Sequence, residues 1–347
     1  MVLAQIGSDK AFEPARQRTN VRLQVFLQAR STTKTLTDLL NEVAREKIRS
    51  VRAHVIAAHQ LASEIAAITR KHKLSLTAQG LRAIAELLDQ EGAYNEAVKY
   101  YKKALAETDP RDPEILNNLG IALGRLGQVK EAIGILEEAI AAKPAFVKAM
   151  NNMALVLADA GQSDRSLSML ENALKKDPHY SIGLFNKGMI HYERQEWAMS
   201  LAALGEILVH PDRVREEHPE LLPLTHLWLS VILGRRHQWE ESLGETVVAE
   251  ELGADRASCL FNRLVALGAL GRKAEAREIL SGLESDPLAG KFLVRPEVAR
   301  ALKEIREDIS ESADARVQLE RIVADMESNL IPVGAPRYSR DQLHERG

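Results

Sequence analysis

The chain has 347 residues, of which 45% are apolar and 4% aromatic, and its formal net charge at pH 7 is −3. This composition can supply a hydrophobic core, and no apolar stretch approaches the roughly 18 residues of a membrane helix, so we expect a soluble protein without membrane contact. A single cysteine excludes an intramolecular disulfide, and the first residues lack the basic flank and apolar core of a secretory signal, so a cytoplasmic location is expected.

The charge is divided unevenly along the chain. Residues 1–75 contain 13 Lys or Arg against 6 Asp or Glu, a net charge of +7, so the remaining residues carry −10. A solvated basic helix that offsets an acidic repeat region is one interpretation. The other is a docking site for an acidic partner or a nucleic acid, because charge asymmetry governs association more than fold.

Residues 1–35 are predicted to form an N-terminal arm. Residues 1–20 are polar and irregular, whereas apolar and polar residues alternate from Val21 to Ala29. A period of two predicts one strand. Such a strand would pair with residues 2–6 or add to the sheet of another protein. The alternative is that these residues begin a helix or form an ordered arm.

Residues 36–77 are predicted to form a basic amphipathic helical segment. Neither Gly nor Pro interrupts the stretch from Leu36 to about Lys71, and its apolar residues advance in steps of three and four. This stripe either packs against the first repeat or joins two copies of the chain in a coiled-coil homodimer. The candidate partner-docking residues of this segment are Arg45, Lys47, Arg49 and Arg52.

The middle of the chain repeats its residue types at a period of 34. Leu116-Asn117-Asn118-Leu119-Gly120 returns as Met150-Asn151-Asn152-Met153-Ala154, and then as Leu184-Phe185-Asn186-Lys187-Gly188. Apolar residues at intervals of three, four and seven predict two helices per unit, with a small residue at their crossing and a proline after the second helix. A fixed period in helix-forming sequence predicts a solenoid.

At these residues the chain resembles the tetratricopeptide repeat family, whose pattern is W-x2-L-G-x2-Y, then A-x3-F, then A and P. The matching residues are Leu116-x2-Leu119-Gly120-x2-Leu123, Ala132-x3-Leu136, Ala139 and Pro144. Aliphatic residues replace the aromatic ones of the pattern. The same register extends over about six units between residues 78 and 287, with a charged break from Arg213 to Glu220.

The resemblance implies an all-α fold: a right-handed superhelical solenoid of about six helix pairs over residues 78–290, preceded by a long N-terminal helix. Pro296 and Ala313 each open a further helix, so residues 291–330 are predicted to be two C-terminal capping helices. The tail at residues 331–347 contains Pro, Gly and Arg and is predicted to be mobile.

The sequence shows no catalytic constellation. It contains no glycine-rich phosphate loop, no Gly-x-Ser-x-Gly and no Cys-x-x-Cys, so we expect neither an enzyme nor a cofactor. His54 and His59 are five residues apart and lie on different sides of a helix, and the other histidines are irregularly spaced, so no metal site is expected.

An asparagine recurs at the sixth place of several units. The four residues at this place are Asn118, Asn152, Asn186 and Asn262. The resemblance implies that this place lies on the first helix of each pair, which lines the concave groove of the solenoid. An amide offers both donors and an acceptor, so the ladder is predicted to hydrogen-bond an extended peptide. The alternative is that each asparagine bonds to the backbone of the neighbouring unit.

Neighbouring groove positions add candidate selectivity. Arg82, Lys148 and Arg125 could meet a carboxylate, in partial resemblance to the clamp with which some family members hold an acidic C-terminus. Glu86 and Asn152 depart from that clamp, because an amide and a base are expected at these places. Phe185 is a candidate anchor for an apolar ligand, as are Met189, Tyr192 and Phe261, unless these residues pack between repeats.

These features favour a non-enzymatic scaffold or adaptor that binds a peptide or a partner protein in its groove within a multiprotein assembly. One alternative is a regulatory protein whose basic N-terminal segment binds nucleic acid or an acidic partner. Another is an accessory subunit of an enzyme complex, with the strand at Val21 to Ala29 completing a partner's sheet.

Overall fold

The computed structural model describes residues 77–90, 92–108 and 111–285, together with residues 293, 299, 302, 303, 305 and 306. The arm, the basic segment with its four docking residues, and the C-terminal tail lie outside the described residues, so those predictions stay predictions. The chain divides into two compact units, Met1–Gln162 (unit 1) and Ser163–Gly347 (unit 2).

The regular structure of the described residues is entirely α-helical, as the sequence predicted. Unit 1 contains five described helices: α1 (Ala78–Gln90), α2 (Tyr94–Ala106), α3 (Pro113–Arg125), α4 (Val129–Ala142) and α5 (Val147–Asp159). Within this unit α1 packs against α2 and α3 against α4, and α3 also contacts α1 and α5. The first helices of successive pairs therefore lie side by side.

Local sequence explains where α3 begins. Asp112 is its N-cap, and its carboxylate accepts hydrogen bonds from the backbone N–H groups of Glu114 at 2.8 Å and Ile115 at 3.4 Å. Pro113 occupies the first helical position, where a missing N–H costs nothing. These contacts satisfy donors that the first turn of a helix leaves unpaired.

The crossing of α3 and α4 depends on a glycine. A Cβ atom built on Gly120 would lie 2.5 Å from Cγ of Leu136, a side chain with no exposed surface. The backbone of α3 therefore approaches α4 more closely than a larger residue would permit. This confirms the predicted need for a small residue at this place.

The turn inside each helix pair contains one residue in the left-handed region. This residue is glycine in four turns, with φ of 77° at Gly92, 72° at Gly127, 73° at Gly161 and 70° at Gly271. In the other two turns it is Gln195 or His237, each with φ of 59°. A left-handed residue after a helix lets the following N–H groups bond back to the last carbonyls, which ends the helix.

Unit 2 contains eight described helices. They are α6 (Ser163–Lys176), α7 (Ser181–Glu193), α8 (Trp197–Ile207), α9 (Pro211–Glu217), α10 (Leu221–Arg235), α11 (Trp239–Glu251), α12 (Arg256–Ala269) and α13 (Lys273–Ser285). Twelve of the thirteen helices in the described part of the chain follow the predicted alternation of first and second helices in six units.

The short helix α9 lies at the charged break in the repeat register. Most of the stretch from Arg213 to Glu220 is helical. Pro211 opens the helix and Arg213 anchors it, since the guanidinium donates to both carboxylate oxygens of Asp177 at 2.7 and 3.2 Å. Because this pair joins residues 36 positions apart in the chain, the helical periodicity of the sequence does not report it.

Two helix crossings of unit 2 carry a serine hydroxyl. Ser200 Oγ donates to the backbone carbonyl of Gly188 at 2.7 Å where α8 crosses α7, and Ser242 Oγ donates to that of Ser230 at 2.8 Å where α11 crosses α10. A small side chain is needed at this place, and serine also pairs its buried hydroxyl.

The far end of unit 2 is closed by residues beyond α13. Leu302 and Ile305 are helical and buried in a cluster with residues of α12 and α13, and Arg306 contacts Glu284 at 2.5 Å. These positions fall within the first of the two predicted capping helices. The second lies outside the described residues. Cys259 on α12 has no exposed surface, as expected of a small hydrophobe.

Candidate functional site

Unit 1 contains a continuous series of hydrogen-bonded side chains across its three first helices. Its members are Glu86 of α1, Asn117 and Asn118 of α3, and Asn151 and Asn152 of α5, and we call this series the amide chain. Nδ2 of Asn152 donates to Oδ1 of Asn117 at 2.9 Å, and Nδ2 of Asn117 donates to Oδ1 of Asn118 at 3.0 Å.

The amide chain continues to a carboxylate at one end and to a second amide at the other. Nδ2 of Asn118 donates to Oε1 of Glu86 at 3.1 Å, which links α3 to α1. Nδ2 of Asn151 donates to Oδ1 of Asn152 at 3.5 Å. Polar side chains thus join α1, α3 and α5 through donors and acceptors that alternate along the series.

Arg82 completes the end of the amide chain on α1. Its Nε donates to Oε1 of Glu86 at 2.6 Å, so one carboxylate oxygen accepts from both Arg82 and Asn118. Burial opposes the charge of the guanidinium, but the hydrogen bond and negative charge of Glu86 outweigh it and raise the pKa of Arg82. Arg82 therefore stays positively charged and holds the side chain of Glu86 in place.

A second ion pair joins α1 to α3 near the C-terminal ends of both helices. Nη1 of Arg125 donates to Oδ2 of Asp89 at 2.9 Å, with side chains 17% and 12% exposed respectively. The same guanidinium lies 5.2 Å from the ring centre of Tyr94. This arrangement occupies Arg125 within unit 1, so it is less able to meet a ligand carboxylate than the sequence suggested.

Asn118 has hydrogen-bonding groups that the amide chain does not use. Asn117 and Asn152 are buried, with 4% and 6% of their surface exposed, whereas Asn118 is half-buried. An amide has two N–H donors and two acceptor lone pairs. The contacts of Asn118 use one of each, so one N–H and one lone pair remain to meet a ligand.

The predicted site residues of unit 1 thus divide into two groups. Asn118, Arg82 and Lys148 are half-buried, and Lys148 lies one turn before Asn152 on α5. Asn152 is buried and bonds to Asn117 of the preceding helix pair. The acceptor is a side chain, whereas the alternative interpretation expected a bond to the backbone of the neighbouring unit. The sequence reasoning missed the roles of Asn117 and Asn151, although the Asn-Asn doublet that repeats at the period of 34 was a visible signal.

In unit 2 two predicted site residues lie in the interior. Phe185 and Asn186 have no exposed surface. Met189, Tyr192 and Phe261 are also buried, which is the packing alternative. The physical reason is that α7 is apolar or small on nearly every side and is enclosed by its neighbours.

Asn262 is the half-buried amide of unit 2. Its Nδ2 donates to Oγ of Ser230 at 3.1 Å, which joins α12 to α10. The sixth-place asparagine therefore bonds to the preceding first helix in this unit as well as in unit 1. Linking neighbouring helices is a structural role that these amides share, whatever else they bind.

Two further properties bear on the kind of site. Among the described residues, no three His, Cys, Asp or Glu side chains are grouped closely enough to hold a metal ion. No described helix combines the length and the apolarity that crossing a membrane requires.

Comparisons with known proteins agree with the repeat architecture. Models of the tetratricopeptide repeat family match residues 90–153 and 151–213. PilW, a widely conserved type IV pilus biogenesis factor, is 18% identical over 65% of this chain and 98% of its own, with a TM-score of 0.52. The C-terminal part of a TPR repeat-containing protein from Cytophaga hutchinsonii is 15% identical over 71% of this chain and 93% of its own, also with a TM-score of 0.52.

At such low identities these two structures show a shared fold and no more. No curated protein sequence matches the chain. The helix pairs, the glycine turns and the two family matches nevertheless agree over the same residues. Residues 90–213 thus carry tetratricopeptide repeats. Repeats of this kind suggest a scaffold for protein–protein interaction.

Proposed function

We propose that this protein is a non-enzymatic scaffold that holds an extended peptide segment of a partner protein against α1, α3 and α5 of unit 1. The observation that carries the proposal is the amide chain, which presents Asn118 beside the ion pair of Arg82 and Glu86. An extended peptide exposes backbone N–H and C=O groups along its length. A side-chain amide can pair with both kinds of group without selecting a particular residue.

Preorganisation is the second support for the proposal. Asn118 is held between Asn117 and Glu86, so its side chain has little rotamer freedom left to lose when a ligand binds. Fixing a rotamer-rich side chain costs roughly 0.5–1.5 kcal/mol at an interface, and prior fixing removes much of this cost. The buried members of the amide chain, Asn117 and Asn152, fix the orientation of Asn118 through their hydrogen bonds.

The charges near Asn118 suggest a peptide of mixed polarity. Arg82 and Lys148 contribute positive charge. Glu86 contributes negative charge, and its side chain is 35% exposed. A strongly acidic ligand would approach Glu86 at close range and be repelled by it. We therefore favour a neutral or mixed-charge segment over the acidic C-terminus of the clamp resemblance.

Site-specific photo-crosslinking would test where the partner binds. A benzoylphenylalanine at Ile121, which is half-buried one turn after Asn118, should capture the partner in the host cell. The matched control carries benzoylphenylalanine in place of Glu137, an exposed residue on the second helix α4. Crosslinking from Glu137 and not from Ile121 would refute binding at the first helices.

The captured partner segment would then be titrated as a synthetic peptide. Asn118→Ala should weaken binding by ~1 kcal/mol, about fivefold in Kd, because one neutral hydrogen bond is lost. Asn95→Ala, the same change at an exposed position of α2, should leave the Kd unaltered. Equal affinity of the Asn118→Ala variant and the control, with both proteins folded, would contradict the role of the amide chain.

A cytoplasmic location and membership of a larger assembly are part of the proposal. The single cysteine is a buried thiol, which suits a protein that does not depend on disulfides. Fractionation of the host and size-exclusion chromatography of the lysate would test both points. Recovery of the protein in a membrane or secreted fraction, or at its monomer mass, would count against them.

A further inference from the structure

The second helix α11 of unit 2 has an unusual outer surface. Five large apolar side chains are more than about a third exposed in the described residues, and three of them belong to α11 or its C-cap: Val247 at 44%, Val248 at 37% and Leu252 at 39%. Isolated apolar residues on a surface are ordinary, whereas a cluster marks an interaction site. The remaining two, Met199 and Val209, are on α8 or just after it.

The backbone next to this cluster is also accessible. Gly244 lies one turn before Val247 and Val248, and a Cβ atom built on it would meet no other atom within 4 Å. Packing inside unit 2 therefore does not require glycine here, although glycine in a helix interior costs about 1 kcal/mol relative to alanine. The exposed stripe from Gly244 to Leu252 is thus a surface that another helix could approach closely.

Acidic residues lie beside this stripe. α11 contains five glutamates and neither Lys nor Arg. Three of them contact positive or titratable groups of unit 2: Glu240 contacts Arg272, Glu245 contacts His226, and Glu250 contacts Arg263. Glu241 and Glu251, both exposed, form no ion pair with any residue that the structure describes.

We propose that the α11 face, defined as Glu241, Gly244, Val247, Val248, Glu251 and Leu252, binds the basic amphipathic segment around residues 40–55 of a second copy of this chain. The segment offers matching chemistry in its sequence. Its apolar residues Leu40, Ala44, Ile48, Val51 and Val55 advance in steps of three and four, and Arg45, Arg49 and Arg52 flank that stripe.

Charge and apolarity are complementary in kind. Glu241 and Glu251 are ten residues apart, about 15 Å along a helix, with the valines between them. In the predicted helix of the segment, Arg45 and Arg52 are seven residues apart, about 10 Å, with Ile48, Arg49 and Val51 between them. Valines beside unpaired glutamates thus meet apolar residues beside arginines. The exchange is reciprocal, because each copy carries one segment and one α11 face.

The full-length chain would be examined by analytical ultracentrifugation over a micromolar concentration series. We expect a monomer–dimer equilibrium that weakens as salt rises, because exposed ion pairs are screened. Val247→Lys should raise the dimer Kd at least tenfold, because it removes apolar contact and adds a like charge. Glu241→Arg with Glu251→Arg should do the same, and adding Arg45→Glu with Arg49→Glu to that variant should restore dimerisation.

The matched control is Glu107→Arg with Glu137→Arg, an equal change of net charge at exposed positions of unit 1, which should leave the dimer Kd unchanged. Circular dichroism of every variant would establish that the helices remain folded. A chain that is monomeric at all concentrations would overturn the proposal. So would a dimer that tolerates the α11 variants, or charge reversals on the two surfaces that weaken dimerisation without mutual rescue.

Discussion

Replacing Asn117 with alanine is the sharpest test of the amide chain. Asn117 is its central member, since it accepts from Asn152 at 2.9 Å and donates to Asn118 at 3.0 Å. Alanine removes both hydrogen bonds at once. It also leaves Nδ2 of Asn152, a buried side chain, without its partner on α3.

The expected cost follows from these contacts. Each lost hydrogen bond is worth about 1 kcal/mol net, and a buried donor left without a partner adds a desolvation penalty of about 1–3 kcal/mol. We therefore expect Asn117→Ala to lower the free energy of unfolding by about 3–5 kcal/mol. The same substitution at exposed Asn95 should change it by less than about 0.5 kcal/mol.

A double-mutant cycle separates the hydrogen bond from general loss of packing. Asn152→Ala alone should also destabilise, but the double variant should lose less than the sum, because no orphaned donor remains. The expected coupling is about 0.5–3 kcal/mol. Additive effects of the two substitutions would refute the reasoning.

Urea unfolding followed by far-UV circular dichroism would measure these energies. All three tryptophans, Trp197, Trp228 and Trp239, belong to unit 2, so their fluorescence reports that unit separately. Hydrogen exchange of the α3 and α5 amides should accelerate in the Asn117→Ala variant, while the amides of the Asn95→Ala control exchange at the wild-type rate.

Three other predictions concern stability and reactivity. Gly120→Ala should destabilise the fold by about 1–3 kcal/mol through overpacking against Leu136. Gly134→Ala should stabilise it by about 0.5–1 kcal/mol, because the added Cβ would meet nothing within 4 Å. Equal urea midpoints of the two variants would contradict this contrast. Burial raises the pKa of the Cys259 thiol to about 11, so a thiol reagent at pH 8 should label it only after urea unfolding, and immediate labelling of the folded chain would disprove its inertness. The pKa of Asp177 is lowered, because the hydrogen bond and charge of Arg213 outweigh the opposing effect of burial. The ion pair should therefore stabilise unit 2 at pH values above the ordinary titration range of aspartate. This stabilisation should be lost as the pH falls. Acid unfolding followed by tryptophan fluorescence should show less of this dependence in Arg213→Ala, and identical acid profiles would count against it.

The features that the sequence predicted correctly are local ones. Gly120 and Pro144 act on the neighbouring helix of the same pair or on their own turn of backbone, so their spacing alone located a helix crossing and a helix end. The alternation of helices followed from the same periodicity. Such signals recur at every unit, and agreement among copies strengthens each one.

The features that the sequence could not predict depend on which distant residues meet. Phe185 occupies a place that could face either a groove or a core, and only the packing of α7 decides that it is buried. The helix α9 depends on an ion pair between Arg213 and Asp177. Likewise, Asn118 was recognisable as a candidate, but its connection to Glu86 required the register of α3 against α1.

The left-handed turns differ in chemistry from one helix pair to the next. Where glycine fills the turn, as at Gly92, Gly127, Gly161 and Gly271, that residue presents only backbone groups. Gln195 and His237 instead place an exposed amide and an exposed imidazole at the equivalent turns of unit 2. A molecule that touches these turns can therefore distinguish these two repeats from those with glycine.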